Sequence, residues 1–196
     1  MKKVCLAAAV TVTISAVLYQ LGGQTPVVAG EGPRASSGSA VQPVAYQADE
    51  SFETRLWNWL QDAKYKNWAP VPGKSGDAYP GKSPHGAFLK MYLNRTAAGS
   101  LKNLPYGSIL IKENYGKDKK TLMAVTVMYR TKGYDSKHND WYWVKYAPDG
   151  SVAKVPNMPK FPKKMWGKPI AGRFPSCIMC HDGADGKDFA FLNDNK

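Results

Sequence analysis

The sequence predicts a mainly β fold of the α+β class: an antiparallel β-sheet domain with an N-terminal helix and a short C-terminal helix. Four segments between residues 87 and 147 are rich in β-branched and aromatic residues, which favour strands. The connectors between these segments carry Gly, Asn and Asp, as antiparallel hairpins require. We therefore predict strands over residues 87–94, 107–115, 121–131 and 140–147.

The N-terminal helix is predicted to begin near Asp49 or Ser51, because either side chain can cap its first turn. Beyond that point apolar residues recur at helical spacing and form one apolar face. The members of this face are Phe52, Leu56, Trp59, Leu60 and Ala63.

The C-terminal part of the chain combines an irregular segment with a short helix. Residues 154–169 are rich in Pro and Lys, which excludes regular structure and predicts an extended loop. Residues 174–182 follow this loop and are predicted to form the short C-terminal helix.

The first residues of the chain have the features of a secretory signal. Residues 1–29 contain two lysines, an apolar stretch and a small-residue cleavage site at residues 27–29. Residues 30–48 are rich in Gly, Ser, Ala and Pro and predict a flexible linker, which leaves residues 49–196 as the folded domain. The signal predicts a periplasmic location and no stable membrane span once it is cleaved; an uncleaved N-terminal anchor is the alternative.

The charge of the chain indicates which partners it favours. The formal net charge is +12, which favours an acidic redox protein or an anionic membrane surface. The lysines are scattered through loops rather than aligned on one helix, and no DNA-reading motif is present. We therefore do not predict nucleic acid as a partner.

The sequence CIMCH at residues 177–181 is the main chemical motif. Two other chemistries that use paired cysteines fit it poorly. A structural zinc site needs four ligands, and the two remaining histidines, His85 and His138, are isolated in the sequence. A redox-active dithiol belongs at the strand-to-helix junction of a βαβ unit, whereas this motif follows an antiparallel sheet.

Covalent haem attachment fits the same motif well. Two thiols one helical turn apart can bond to the porphyrin vinyl groups, and the adjacent imidazole can bind the iron. The third cysteine of the chain, Cys5, lies in the predicted signal. The motif therefore predicts one covalent haem c per chain, held by Cys177 and Cys180 with His181 as the iron ligand.

No second iron ligand stands out in the sequence. Met91, Met123 and Met128 lie in strand patterns and are interpreted as core residues. His85 sits in a Pro-Gly turn, where a turn-stabilising hydrogen bond is expected, and His138 lies in a polar loop and is expected to be solvated. We infer a five-coordinate iron with one open face.

Five blocks occur in order along the chain: YPGKSPHGAFLKMYLN, LPYGSILIKENY, LMAVTVMYR, YDSKHNDWYWVKYAPDG and CIMCHDGADGKDFAF. Between about Trp68 and Phe191, this series resembles the cytochrome P-460 family, which includes the cytochrome c′-β proteins. The resemblance implies an antiparallel β-domain, usually a homodimer, with haem c against the sheet. It also implies a His proximal ligand and an open distal pocket for NO or hydroxylamine.

The resemblance assigns roles to two further residues. Lys112 aligns by motif with a lysine that crosslinks to the porphyrin in hydroxylamine-oxidising members; the alternative is a solvated Lys112–Glu113 pair at a strand edge. Arg130 stands where those members place a distal carboxylate. An arginine stays protonated and cannot accept a proton, so it would hold an anion or donate to bound NO; a surface ion pair is its alternative.

These features leave three functions open. The missing distal carboxylate favours NO or small-ligand binding, and Lys112 favours an oxidoreductase acting on hydroxylamine or NO. A simple electron-transfer cytochrome would need a second axial ligand.

Three further predictions concern the surroundings of the haem. Arg173 is predicted to pair with a haem propionate, or else to be surface charge. Asp182 is a candidate for orienting the proximal imidazole, a task that backbone carbonyls also perform. The lysines between Lys154 and Lys168 would dock an acidic redox partner or serve solubility.

Overall fold

The structure is a computed structural model that describes residues 50–74, 76–184 and 188–193. The predicted signal and linker lie outside the described residues. The helices are α1 (Phe52–Asp62), α2 (Arg95–Ala98) and α3 (Pro175–His181). The strands are β1 (Ala69–Pro70), β2 (Tyr79–Pro80), β3 (Phe88–Leu93), β4 (Ile109–Tyr115), β5 (Leu122–Arg130), β6 (Trp141–Tyr146) and β7 (Ala171–Gly172).

A single antiparallel sheet of seven strands organises this part of the chain. Its order is β1-β3-β4-β5-β6-β7, and β2 pairs with the first part of β3. The four long strands β3 to β6 are neighbours in chain order, as hairpin connections require. The predicted mainly β, antiparallel fold is confirmed, and the four predicted strands occur within two residues of the predicted bounds.

Helix α1 begins where its cap predicts. Ser51 is the N-cap, and its hydroxyl oxygen accepts a hydrogen bond from the backbone N–H of Thr54 at 3.2 Å. Leu56 and Leu60 are buried against the sheet. The predicted single apolar face is only partly buried, because Phe52 and Trp59 remain 39% and 50% exposed.

The two faces of the sheet carry different cores, because side chains alternate along each strand. We call the side that packs on α1 the α1 face and the opposite side the α3 face. The α1 face includes Ile109, Ile111, Val125, Val127, Tyr142, Val144 and Tyr146. The α3 face includes Leu93, Leu110, Met128, Trp141 and Trp143, which pack with Ile178, Phe189 and Ala190.

The structure confirms some of the predictions for the methionines and for the proline-rich segment and contradicts one. Met128 is buried as predicted, but Met123 is wrongly predicted as core, since its side chain is 58% exposed near the start of β5. The segment 154–169 is irregular as expected, with one short 3₁₀ turn at Lys163–Met165. Its Phe161, Met165 and Trp166 pack in a small cluster that includes Cys177.

Glu113 is buried on the α1 face and accepts hydrogen bonds from three phenols. The hydroxyl of Tyr65 donates to Oε1 at 2.8 Å, and those of Tyr92 and Tyr115 donate to Oε2 at 3.0 and 2.6 Å. Glu113 is 1% exposed, and β4 lies between β3 and β5. The alternative interpretation of Lys112–Glu113 as a solvated strand edge is therefore wrong.

Candidate cofactor site

Helix α3 carries the CIMCH residues, and its Cys177, Ile178 and His181 pack toward the sheet, whereas Met179 and Cys180 are exposed. Pro175 occupies the first turn, where its missing N–H costs no helical hydrogen bond. Cys177 and His181 are four residues apart and therefore share one side of the helix. Cys177 is half-buried, Cys180 is exposed, and both thiols are free. Burial raises the pKa of the Cys177 thiol to about 11, so this thiol is protonated near neutral pH.

The imidazole of His181 is held in one tautomer. Its Nδ1 lies 2.7 Å from the carbonyl oxygen of Phe189, and a carbonyl can only accept, so Nδ1 carries the hydrogen. Nε2 is therefore the atom with a free lone pair, which is the form that binds a metal. The orienting partner is this carbonyl rather than the predicted Asp182, whose side chain is exposed.

Aromatic rings enclose His181. Its ring centroid lies 4.7 Å from that of Trp143 and 5.1 Å from that of Phe191. Only 8% of the residue is exposed. Burial lowers the pKa of His181 to about 4, so the imidazole is neutral near neutral pH.

His85 is the main site residue that sequence reasoning missed. It lies in the loop between β2 and β3, yet its ring centroid is 6.2 Å from that of His181. The expected hydrogen bond exists, because Nδ1 lies 3.1 Å from Oδ1 of Asn114, but Asn114 belongs to β4 rather than to the turn. Burial, reinforced by the positive charge of Lys112, lowers the pKa of His85 to about 3. The two histidines are far apart in the chain, so no local pattern pairs them.

Gly86 allows the His85 loop to approach β4. A Cβ atom at this position would lie 2.6 Å from both the backbone nitrogen and the backbone oxygen of Tyr115. The backbone N–H of Gly86 also donates to Oδ1 of Asn114 at 3.1 Å. Because Gly86 has no side chain, the loop can pack against β4, and this contact places His85 over the sheet.

We expect Gly86→Ala to destabilise the domain by about 1–3 kcal/mol, because the added methyl must displace backbone rather than a flexible side chain. Chemical denaturation would measure this loss. Gly99→Ala is a matched control, since its Cβ would meet the Arg95 carbonyl at an ordinary 3.4 Å and its φ is −74°. Equal losses in the two variants would contradict the close-approach explanation.

Two lysines extend the site across the α3 face. In the strand register Lys112 of β4 pairs with Thr126 of β5, which pairs with Lys145 of β6. Burial lowers the pKa of Lys112 to about 8 and also lowers that of Lys145. The charge of Lys112 lowers the pKa of both histidines, so these basic groups lie close enough to interact. Such a surface favours an anionic group.

The two candidate arginines lie elsewhere. Arg130 ends β5, four residues or roughly 13 Å along the strand from Thr126, the partner of Lys112. Its guanidinium donates to the carbonyl oxygens of Leu104 and Asn139, at 3.0 Å for the latter. The structure therefore does not bring Arg130 together with Lys112.

Arg173 and His138 meet at a shared carboxylate. Arg173 is exposed, donates to the carbonyl oxygen of Tyr134, and has its Nε 3.5 Å from Asp135. Nδ1 of His138 lies 2.7 Å from the same carboxylate, and its ring packs on Phe189 at 5.7 Å. The prediction of a merely solvated His138 is wrong.

The chain matches no protein-family model and no curated protein sequence. In the described ranges, no group of three or more His, Cys, Asp or Glu side chains could hold a metal ion. A metal ion bound to His181 would therefore need ligand atoms other than those of such a side-chain group, for example from a cofactor. None of the helices in the described part of the chain is long and apolar enough to cross a membrane.

A covalently attached porphyrin is compatible with the residues present. The two thiols are free, and the Nε2 lone pair of His181 follows from its tautomer. The Nε1 atom of Trp143, whose ring contacts His181, is buried with no hydrogen-bond partner among the described residues. A buried donor of this kind is costly unless an acceptor is supplied, and the basic groups nearby favour an acceptor that is anionic.

Proposed function

We propose that this chain is an exported, periplasmic mono-haem c protein of the cytochrome P-460 type that binds a small nitrogenous or diatomic ligand, NO or hydroxylamine. Cys177 and Cys180 would hold the porphyrin, and Nε2 of His181 would bind the iron. When bound, the haem would supply an iron that binds such ligands and exchanges electrons. The homodimer that the resemblance implies remains a prediction.

One observation carries the proposal: the residue that directly follows the second thiol is a buried imidazole with Nδ1 committed to a carbonyl. A hydrogen bond at Nδ1 fixes both the ring orientation and the tautomer of a metal-binding histidine. Trp143 and Phe191 restrict the ring further and exclude water from it. A histidine with only a packing role would not need this combination next to two free thiols.

A second candidate is an oxidoreductase acting on hydroxylamine or NO, with Lys112 bonded to the porphyrin edge. The lowered pKa of Lys112, about 8, favours this candidate, because a larger fraction of the amine is then neutral and nucleophilic. The bond would replace one amine N–H and one porphyrin C–H, releasing two protons and two electrons to a peroxide as oxidant. Turnover of hydroxylamine to NO releases electrons and protons in equal number, the electrons passing to an oxidised redox protein.

The electron acceptor is proposed to be an acidic redox protein. Residues 151–181 contain no Asp or Glu. They contain the exposed cations Lys154, Lys160, Lys163, Lys164, Lys168 and Arg173. Phe161, Met165 and Trp166 of this segment pack in the cluster that includes Cys177, so the segment that carries most of these cations lies next to α3. An acidic partner would be steered to this edge. Simple electron transfer without ligand binding is the third candidate.

Intact mass spectrometry and the ferrous optical spectrum, recorded with and without NO, test the proposal. We expect the mass of one haem per chain and a spectral shift on adding NO. A red-shifted Soret band that Lys112→Ala restores to an ordinary c-type position would favour the crosslinked oxidoreductase. Lys90→Ala, a strand lysine next to Glu113 in the register, should leave the spectrum unchanged. A colourless protein matured in a host that attaches haem would refute the proposal.

A further inference from the structure

His85 and His181 have the same hydrogen-bonding state. Asn114 is 3% exposed, and its amide nitrogen donates to the carbonyl oxygens of Lys112 at 2.8 Å and Ala124 at 3.2 Å. Its Oδ1 is therefore an acceptor, and it accepts from Nδ1 of His85. Both imidazoles thus carry hydrogen on Nδ1 and leave Nε2 with a free lone pair.

The separation of the two rings distinguishes two roles for His85. Two metal–nitrogen bonds of about 2 Å and two ring radii of about 1.1 Å put the centroids of two imidazoles on opposite sides of one metal ion about 6.2 Å apart. If His85 instead accepted a hydrogen bond from a ligand on the metal, the centroids would lie about 9 Å apart. The observed 6.2 Å agrees with the first value.

Edge-to-face packing of aromatic rings also occurs over about 4.5–7 Å, so distance alone does not select metal binding. The tethers provide the second criterion. Asn114 holds His85 from β4, and the Phe189 carbonyl holds His181 from the C-terminal segment. Each tether uses the nitrogen that a ligand histidine does not need, which is the arrangement of metal-binding imidazoles.

We infer that Nε2 of His85 would supply a second ligand to the haem iron when no external ligand is present. This inference rests on the proposed haem c function and changes one part of it. We expected a five-coordinate iron because the sequence shows no second ligand near His181. His85 lies close to His181 in the structure, so that reason no longer holds. A small ligand would then bind in competition with Nε2 of His85.

The test is the spin state of the ferric protein, measured by electron paramagnetic resonance and optical spectroscopy on the haem-loaded chain. We expect wild type to be low-spin and His85→Ala to be high-spin, because a five-coordinate His-ligated iron lacks the second strong ligand. Added imidazole should return His85→Ala to the low-spin state. Lys82→Ala, an exposed change in the same loop, should remain low-spin.

NO binding provides a second readout. If Nε2 of His85 must leave before NO binds, the ferric association rate should rise at least tenfold in His85→Ala. His85→Met covers the case in which the alanine variant fails to fold. A thioether ligand raises the reduction potential of a His-ligated haem, so this variant should show a higher potential than wild type.

A high-spin wild type, or a low-spin His85→Ala without added imidazole, would overturn the role of His85 while leaving haem attachment intact. Absence of the haem mass from wild type would instead refute the proposed function itself. The two failures are therefore distinguishable on one protein preparation.

Discussion

Replacing both Cys177 and Cys180 with serine is expected to abolish covalent haem attachment, so that intact mass spectrometry detects only the polypeptide. Serine retains a similar size but forms no thioether to the porphyrin. Both free thiols lie on α3, with Cys180 exposed and Cys177 half-buried against the cluster of Val155, Ile170 and Phe174. The double variant would retain the sheet, since neither cysteine belongs to it.

The single variant Cys180→Ser is the matched control for this experiment. It leaves the half-buried Cys177 able to form one thioether, so we expect a smaller yield of protein that still carries the haem mass. His181→Ala tests the third member of the motif, because it keeps both sulfurs and removes the imidazole. Retention of the haem mass in the double serine variant would show that these sulfurs are not the attachment points.

Glu113→Ala is expected to cost about 3–5 kcal/mol of unfolding free energy, measured by chemical denaturation. The substitution leaves the hydroxyls of Tyr65, Tyr92 and Tyr115 without their shared acceptor. It also opens a cavity beside Tyr65, which is 2% exposed. Because a domain of this size is stable by only about 5–15 kcal/mol, the variant should be partly unfolded at moderate temperature.

Lys66→Ala is a matched control that addresses the same carboxylate. The Nζ atom of Lys66 lies 3.6 Å from Oε1 of Glu113, but its side chain is 62% exposed. An exposed ion pair contributes less than about 1 kcal/mol, so this variant should be nearly as stable as wild type. A loss in Lys66→Ala equal to that in Glu113→Ala would mean that the charge pair, not the phenol network, stabilises this part of the sheet.

Much of the fold was predictable because its signals are local. The strands β3 to β6 follow from β-branched and aromatic runs between turn residues, and Ser51 identifies the start of α1 through a bond three residues away. The exposure of Trp59 and Met123 was not predictable, because apolar periodicity says which residues share a face and not how far a neighbour covers it.

The site likewise has features that the sequence predicts and features that it does not. The partners of both histidines, Asn114 for His85 and the carbonyl of Phe189 for His181, come from other elements of the chain. Motif position alone predicts a distal role for Arg130, whereas its guanidinium donates to the carbonyl oxygens of Leu104 and Asn139, in loops that the motif does not describe. The motif therefore predicts which type of residue stands at a position but not which residues surround it in the fold.

The sequence by itself determined the strand segments, the capped first helix and the two thiols followed by an imidazole, since each depends on spacing over a few residues. Only the tertiary structure decided that His85 faces His181, that Glu113 is buried beneath three phenols and that Lys112 lies on an internal strand. These are contacts between segments far apart in the chain. They depend on the sheet register and on the close approach at Gly86, and the spacing of residues within a short stretch of sequence predicts neither.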